Sequence, residues 1–142
     1  MAIIKFRVDG LPPKKDGANS MWGNRLESER LVNLRKAALR ELKGRPPLKS
    51  DIKLAIAVHV GLKNNRSVGD LDTFITGVCD GLMRRARGSK LCEDIWNKPE
   101  NSDVHPDKAS AIDDDSQVMS IQAVKIVDDA AKQFYDVTLE GE

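Results

Sequence analysis

Residues 52–62, IKLAIAVHVGL, and residues 70–82, DLDTFITGVCDGL, decide the fold of this 142-residue chain. In the first stretch, large apolar side chains occupy every second position, which predicts a strand with one buried face. In the second stretch, apolar residues recur at intervals of three and four, which predicts an amphipathic helix from near Asp70 to about Arg85. A buried strand followed by such a helix predicts a sheet covered by helices.

The same two periodicities continue on both sides of this centre. Residues from about 87 to 111 break them: they are polar and irregular and predict an insert between the second helix and the third strand. The order β-α-β-α-β-β predicts one α+β domain over residues 1–142, with two helices packed on a mixed sheet. The predicted elements are strands at 4–8, 52–62, 118–127 and 134–139 and helices at 27–43 and 70–85.

Composition argues against membrane and secreted classes. The chain is 40% hydrophobic and 32% charged, which is typical of a soluble globular domain. It has no apolar run of the roughly 18–20 residues that a membrane helix needs, and its N-terminal sequence lacks a signal peptide's apolar region, so we expect a cytoplasmic protein. Its two cysteines and two histidines have no zinc-ligand spacing, and we expect Cys79 to be a buried free thiol.

The net charge of +1 conceals a polarity along the chain. Residues 1–50 carry a formal charge of +7, and residues 101–142 carry −7. A nearly neutral protein of this kind can still present a positive surface to a nucleic acid. The alternative is that the two ends pair with each other, within the fold or between subunits.

Aspartates are concentrated at the start of the second predicted helix and before the third predicted strand. Asp70 and Asp72 flank one apolar residue, and Asp80 shares a helix face with Asp72. The run Asp113–Asp115 precedes a strand that can lie beside this helix. Converging carboxylates repel one another, and Mg²⁺ offsets that repulsion and supports phosphodiester chemistry. The competing interpretation is structural, because Asp often caps helices and acidic runs often form solvated turns.

In combination, these motifs resemble the RusA-type Holliday junction resolvases, which are small phage and bacterial endonucleases. The predicted element order agrees with that family. The resemblance implies a RusA-like fold and a homodimer that binds four-way DNA junctions and cuts two strands symmetrically, in DNA repair and recombination. It also implies Mg²⁺ as the cofactor, with Mn²⁺ as a substitute. The matching segments are Asp70-Leu71-Asp72-Thr73, Asp80, Asp114-Asp115-Ser116-Gln117, and Leu11-Pro12-Pro13 followed by Asn19 and Trp22.

The resemblance further implies which residues form the site. Asp70, Asp72 and Asp115 match the catalytic, metal-binding aspartates, and Asp80 and Asp114 are additional acidic positions. The family's lysine position is Thr76 here, and a threonine supplies no positive charge. The basic residues that are candidates to replace that lysine are Lys125, Arg66 and Lys90.

Basic residues in and after the Pro-Pro loop are expected to contact DNA phosphates. These residues are Lys14, Lys15, Arg25, Arg30 and Arg35. Three functions are compatible with the sequence. The first is a Mg²⁺-dependent junction endonuclease, and the second is a junction-binding protein with weak or no activity because of Thr76. The third is a structural or interaction protein in which the aspartates are caps.

Overall fold

The computed structural model describes residues 2–15, 21–61, 70–86, 88–128 and 132–141. The strands and the two long helices follow one another in the predicted order β-α-β-α-β-β, so the α+β class is confirmed. The elements are β1 (Ala2–Asp9), α1 (Arg25–Leu42), β2 (Ile52–Gly61), α2 (Leu71–Leu82), α3 (Glu93–Trp96), β3 (Val118–Asp128) and β4 (Phe134–Gly141), with 3₁₀ segments at Pro99–Val104 and Asp115–Gln117.

The four strands form one mixed sheet in the order β1-β4-β2-β3. β4 pairs antiparallel with β1 on one side and with β2 on the other, and β2 pairs parallel with β3. Although β3 and β4 follow each other in the chain, β2 separates them in the sheet. The last strand along the chain therefore lies in the interior of the sheet, and β3 is an edge strand.

Alternation along the strands gives the sheet one apolar face. The large apolar residues of β2, from Ile52 to Val60, are all buried, and they pack with alternate residues of β1 and β4. The apolar stripes of α1 and α2 complete this core through residues such as Leu34 and Phe74. Both long helices therefore cover the same face of the sheet, as the period-two pattern of the strands requires.

The ends of the two long helices have different causes. The side chain of Asn24 accepts a hydrogen bond of 3.0 Å from the Glu27 N–H and so caps the start of α1. Lys43 and Gly44 have φ angles of 55° and 76°, the left-handed conformation that ends a helix. α2 ends at Leu82 instead of Arg85, because the Leu82 carbonyl accepts hydrogen bonds from the N–H groups of Ala111 and Ile112.

The segment predicted as an irregular insert at about 87–111 is described from residue 88 onward and contains only short helical segments. It contains α3 and a 3₁₀ segment, which pack on α1 and form a second small core around Trp22 and Trp96. The Trp96 indole N–H donates to the Ser28 hydroxyl at 3.1 Å, and the two indole rings lie 5.5 Å apart. The sequence pattern did not predict these short helices, because a helix of four to six residues is too short to form a repeating apolar stripe.

Two further sequence expectations concern a buried free cysteine and membrane-spanning helices. Cys79 is buried and unpaired, as predicted, and Cys92 is also free. Burial, together with the nearby carboxylates of Asp80 and Asp115, raises the pKa of the Cys79 thiol to about 11. Across the described ranges, none of the helices is both long enough and apolar enough to cross a lipid bilayer.

Candidate acidic site

Helix α2 carries three of the predicted site aspartates on its solvent side. Asp70 occupies the N-cap position, but its carboxylate makes no capping hydrogen bond, whereas the Thr73 hydroxyl donates to the Asp70 carbonyl at 2.7 Å. Asp72 and Thr76 are exposed, and the Thr76 hydroxyl donates to the Asp72 carbonyl at 3.0 Å. The capping interpretation therefore does not account for the carboxylates of Asp70 and Asp72, which remain on the surface.

The Pro-Pro loop packs directly against α2. A Cβ atom built on Gly77 would lie 1.8 Å from the Pro13 carbonyl oxygen, so only glycine permits this approach of loop and helix. Pro12 and Pro13 are buried, and the Lys14 N–H donates to a Glu27 carboxylate oxygen at 3.0 Å, which ties the loop to α1. The loop is thus held between the two helices immediately before Lys15.

Lys15 reaches the acidic face of α2 from this loop. Its ammonium nitrogen lies 3.0 Å from an oxygen of Asp80, and the Asp80 side chain is only 16% exposed. Asp80 lies three residues after Gly77, so it is on the adjoining side of the helix from the docked loop. The close approach at Gly77 therefore explains why the ion pair forms at Asp80.

A second acidic segment lies beside this ion pair. The side chain of Gln117 holds this segment in place. Its amide oxygen accepts hydrogen bonds from the N–H groups of Asp113 and Asp114 at 2.8 and 2.7 Å. Its amide nitrogen donates a hydrogen bond to the Leu48 carbonyl at 3.0 Å. The Ser116 hydroxyl donates to Asp114 at 2.7 Å. These contacts fix the turn in which Asp115 begins the 3₁₀ segment that leads into β3.

The electrostatics of this turn connect it to α2. Desolvation, the neighbouring Asp114 and the charge of Asp80 raise the pKa of Asp115 above its ordinary value, whereas Lys15 lowers it. Hydrogen bonds, first of all from Ser116, lower the pKa of Asp114. Of the two neighbouring carboxyl groups, Asp115 is the more buried, and desolvation is the main cause of its raised pKa. Asp115, Asp80 and Lys15 therefore form one local group, here called the acidic cluster.

Asp70 and Asp72 lie apart from the acidic cluster. Eight residues separate Asp72 from Asp80, which is about 12 Å along the helix axis. Within the described ranges, no three His, Cys, Asp or Glu side chains converge closely enough to hold a metal ion. The expected grouping of Asp70, Asp72 and Asp115 therefore does not form a metal-binding group, and Asp80 is the aspartate of α2 whose charge acts on Asp115.

The chemistry of the acidic cluster nevertheless suits a hard divalent cation. Its acidic side chains are carboxylates, which are the ligands that Mg²⁺ prefers. A positive group already lies against Asp80 in the form of the Lys15 ammonium. As ligand types, these carboxylates match Mg²⁺ better than zinc or copper.

The predicted DNA contacts have different environments. Arg25 is 63% exposed and lies near Glu29 and Asp94, and Arg30 is paired with Glu27. Lys14 and Lys15 lie on the loop, with Lys15 61% exposed. These four residues are near enough to the surface to meet a phosphate, although Arg25 and Arg30 already have acidic neighbours.

Arg35 is not on the surface, and its assignment as a DNA contact is corrected. It is 1% exposed, and its guanidinium donates hydrogen bonds to the carbonyls of Val104, Gly81, Met83 and Ala109. Burial and the charge of Arg84 lower the pKa of Arg35 to about 10. Arg35 joins α1, α2 and the insert, so its role is structural.

Two of the cations proposed to replace the missing lysine lie on described parts of the chain. Lys90 is exposed next to Gly23, and Lys125 is half-buried on β3. Arg66 lies outside the described residues, as does Asn19 of the Pro-Pro loop. Lys15, by contrast, forms an ion pair with a predicted site aspartate, Asp80. From the sequence, Lys15 was expected only to contact DNA, because the packing of the Pro-Pro loop against Gly77 produces no periodic pattern of residues.

The structure also presents a basic cleft that sequence patterns did not reveal. This cleft of about 600 Å³ lies between the second half of α1 and the insert. Asp103 is the acidic residue of its lining, against five basic ones, so the cleft is strongly positive. The basic residues are Lys36, Arg40, Arg45, Arg84 and Lys108.

Comparison of the sequence with protein-family models and with curated proteins finds no match. The likeness to the junction resolvases is therefore carried by the matching segments of this chain alone.

Proposed function

We propose that this protein is a Mg²⁺-dependent, structure-selective DNA endonuclease that resolves four-way junctions in DNA repair or recombination. The observation that carries the proposal is the Lys15 ammonium 3.0 Å from Asp80 on α2, with Asp115 before β3 near enough for both charges to act on it. Neighbouring carboxylates repel each other, and a bound cation is one way to offset that repulsion.

The proposed reaction is hydrolysis of a phosphodiester. A water oxygen bonds to phosphorus, one phosphorus–oxygen ester bond breaks, and the leaving oxygen takes up a proton. When bound, Mg²⁺ polarises a phosphoryl oxygen and activates the attacking water. Asp80 and Asp115 would supply carboxylate oxygens to the ion, and Asp114 holds the turn through Ser116. Asp70 and Asp72 lie further along the face of α2, about two turns before Asp80. The DNA backbone would run along the acidic face of α2.

Two basic surfaces, one near each end of α1, support the proposed binding of DNA. The loop residues Lys14 and Lys15 flank the acidic cluster, and the basic cleft lies at the far end of α1. Phosphate contacts from such residues supply affinity without reading sequence, which suits an enzyme that recognises branched structure. A homodimer belongs to the proposal through the family resemblance, and a cytoplasmic location through the absence of a signal-peptide pattern in the sequence. Light scattering of the purified protein tests the dimer.

The test is cleavage of a synthetic four-way junction with and without Mg²⁺ or Mn²⁺. We expect metal-dependent cleavage that Asp80→Asn and Asp115→Asn each reduce by at least about a hundredfold, a loss typical of removing one essential charged group. Asp9→Asn is the control, because Asp9 is an exposed carboxylate on β1, at the opposite edge of the sheet. A wild-type protein that cuts no branched DNA with either metal would end the enzymatic proposal.

A second candidate function is junction binding without cleavage. The observation that favours it is the exposed, neutral side chain of Thr76 between Asp72 and Asp80. It predicts a gel shift of the junction without nicking, and gain of cleavage in Thr76→Lys. Binding that does not weaken with rising salt would contradict both nucleic-acid functions and leave the structural role.

A further inference from the structure

The acidic face of α2 lacks a positive group of its own. Along the line of Asp72, Thr76 and Asp80, the middle position is neutral. A phosphodiester under attack gains negative charge, which the carboxylates of this face would oppose. A cation from another part of the chain is therefore required close to the acidic cluster.

Lys15 has the position that this requirement demands. Its ammonium nitrogen lies 3.0 Å from Asp80, and its charge lowers the pKa of Asp115, so it acts on both carboxylates of the cluster. The Lys15 side chain is 61% exposed, so the ammonium faces solvent on the side from which DNA would approach. It can therefore contact Asp80 and a phosphate oxygen together.

The backbone places Lys15 there independently of the ion pair. The Pro13 carbonyl lies against Gly77, the Pro13 ring lies 3.8 Å from where a Gly81 Cβ would be, and the Lys14 N–H is bound by Glu27. A surface ion pair alone contributes little to stability, about 0–1 kcal/mol. The close packing of the preceding residues shows that the loop is positioned by its backbone, and that Lys15 is presented to the acidic cluster.

We propose that Lys15 is the phosphate-facing cation of the acidic cluster. This inference rests on the proposed nuclease function and gives Lys15 a part in the reaction beyond DNA affinity. Held by Asp80, its ammonium stabilises the negative charge that develops on the phosphoryl oxygens as the water adds and the ester bond breaks. It retains its proton throughout, so the atoms of the hydrolysis balance without it.

The experiment compares Lys15→Met with Lys14→Met, a charge removal one residue earlier in the same loop. Single-turnover cleavage and junction affinity in EDTA are measured separately. We expect Lys15→Met to slow cleavage by about 10²–10³-fold, as for loss of one transition-state charge contact. We expect its affinity for the junction to change less than about threefold, close to the change in Lys14→Met, as for loss of one phosphate contact among several.

A rescue variant separates a charge role from a packing role. Position 76 lies one helical turn before Asp80 on the same face, so a lysine there can present an ammonium to the acidic cluster. Cleavage by Lys15→Met with Thr76→Lys should recover at least about tenfold, equivalent to about 1.4 kcal/mol of barrier. The proposal is overturned if Lys15→Met cuts as well as Lys14→Met, if its defect lies wholly in affinity, or if Thr76→Lys fails to restore cleavage.

A metal titration supplies a readout that does not depend on activity. Mn²⁺ alone is titrated into the wild type and both lysine variants by calorimetry. Removing a positive charge 3.0 Å from Asp80 should tighten Mn²⁺ binding severalfold in Lys15→Met and leave it unchanged in Lys14→Met. Equal Mn²⁺ affinities in all three proteins would refute the placement of Lys15 at the cation site. Absence of cleavage by the wild type would instead remove the nuclease proposal, and the titration would still decide where Lys15 acts.

Discussion

Gly77→Ala is the substitution that most directly tests the docking of the Pro-Pro loop. On a solvent-exposed helix, alanine would stabilise α2 by about 1 kcal/mol relative to glycine. Here the new methyl group would lie 1.8 Å from the Pro13 carbonyl oxygen and 2.6 Å from its carbon, both backbone atoms. The loop would have to retreat by more than 1 Å before the contact becomes tolerable, so the steric cost opposes the helical gain.

The opposing terms can be compared in size. Forcing a methyl group into a closely packed site costs about 1–3 kcal/mol. Retreat of the loop also endangers the hydrogen bond from the Lys14 N–H to Glu27, worth about 1 kcal/mol. After the helical gain of about 1 kcal/mol is subtracted, we expect Gly77→Ala to lower the free energy of unfolding by about 1–3 kcal/mol. Because Lys15 follows the displaced backbone, cleavage should fall by more than the unfolded fraction explains.

Urea denaturation followed by tryptophan fluorescence measures this change, because Trp22 and Trp96 are both buried. Gly81→Ala is the matched control on the same helix. A Cβ there would lie 2.8 and 2.9 Å from the terminal methyl groups of Leu31 and Leu34, which are side-chain ends and can move. We expect the smaller loss for Gly81→Ala. A Gly77→Ala protein that is more stable than the wild type by the full helical gain would show that the loop does not lie against α2.

Three further predictions concern the core, the insert and the acidic cluster. Arg35→Met should lower the free energy of unfolding by at least about 3 kcal/mol, because it leaves four buried or partly buried carbonyl acceptors without their donor. Urea denaturation measures this loss, and a loss below about 1 kcal/mol would contradict the structural role. Tyr135→Phe should raise stability by about 1 kcal/mol, because the buried Tyr135 hydroxyl has no hydrogen-bond partner among the described residues; destabilisation would reveal a partner. The pKa of Asp115 is raised in the folded state, so the folded protein holds this proton more tightly than the unfolded chain does. Stability therefore falls as the pH rises above the ordinary pKa of 3.8, and the loss persists at neutral pH. Asp115→Asn should therefore raise the melting temperature at pH 7 while greatly reducing cleavage. A variant whose melting temperature equals that of the wild type throughout pH 4–7 would contradict the crowding of carboxylates around Asp115.

The sheet and the long helices could be predicted from the sequence because their residues repeat with the period of their own backbone. Ile52 to Val60 alternates strictly and forms a strand with that face buried. The strand order could not be predicted, since nothing in the sequence of β4 shows that it lies between β1 and β2. The packing of the insert could not be predicted, because it depends on two separate tryptophans, Trp22 and Trp96, that meet only in the folded chain.

The candidate site was predictable in its residue types and less so in its grouping. The acidic positions were identified from spacing along α2, yet Asp115 lies beside Asp80, and Asp72 is about two turns away along the helix. Arg35 was misassigned because a basic residue in an amphipathic helix gives no sign of whether it faces water or carbonyl groups. The pairing of Lys15 with Asp80 depends on a backbone contact at Gly77, and such a contact has no signature in sequence periodicity.

The position of β4 inside the sheet has a consequence for how the polypeptide is made. Residues 2–9 find their hydrogen-bonding partners at residues 134–141, at least 125 positions later, so β1 stays without a neighbour until the ribosome has produced nearly all of these residues. Closure of so long a loop is slow, and the exposed edges of β1 and β2 are meanwhile open to association with other chains. Ala2 lies opposite Gly141 in the pairing, so a circular permutant that joins these residues would turn the most distant contact of the fold into a local hairpin.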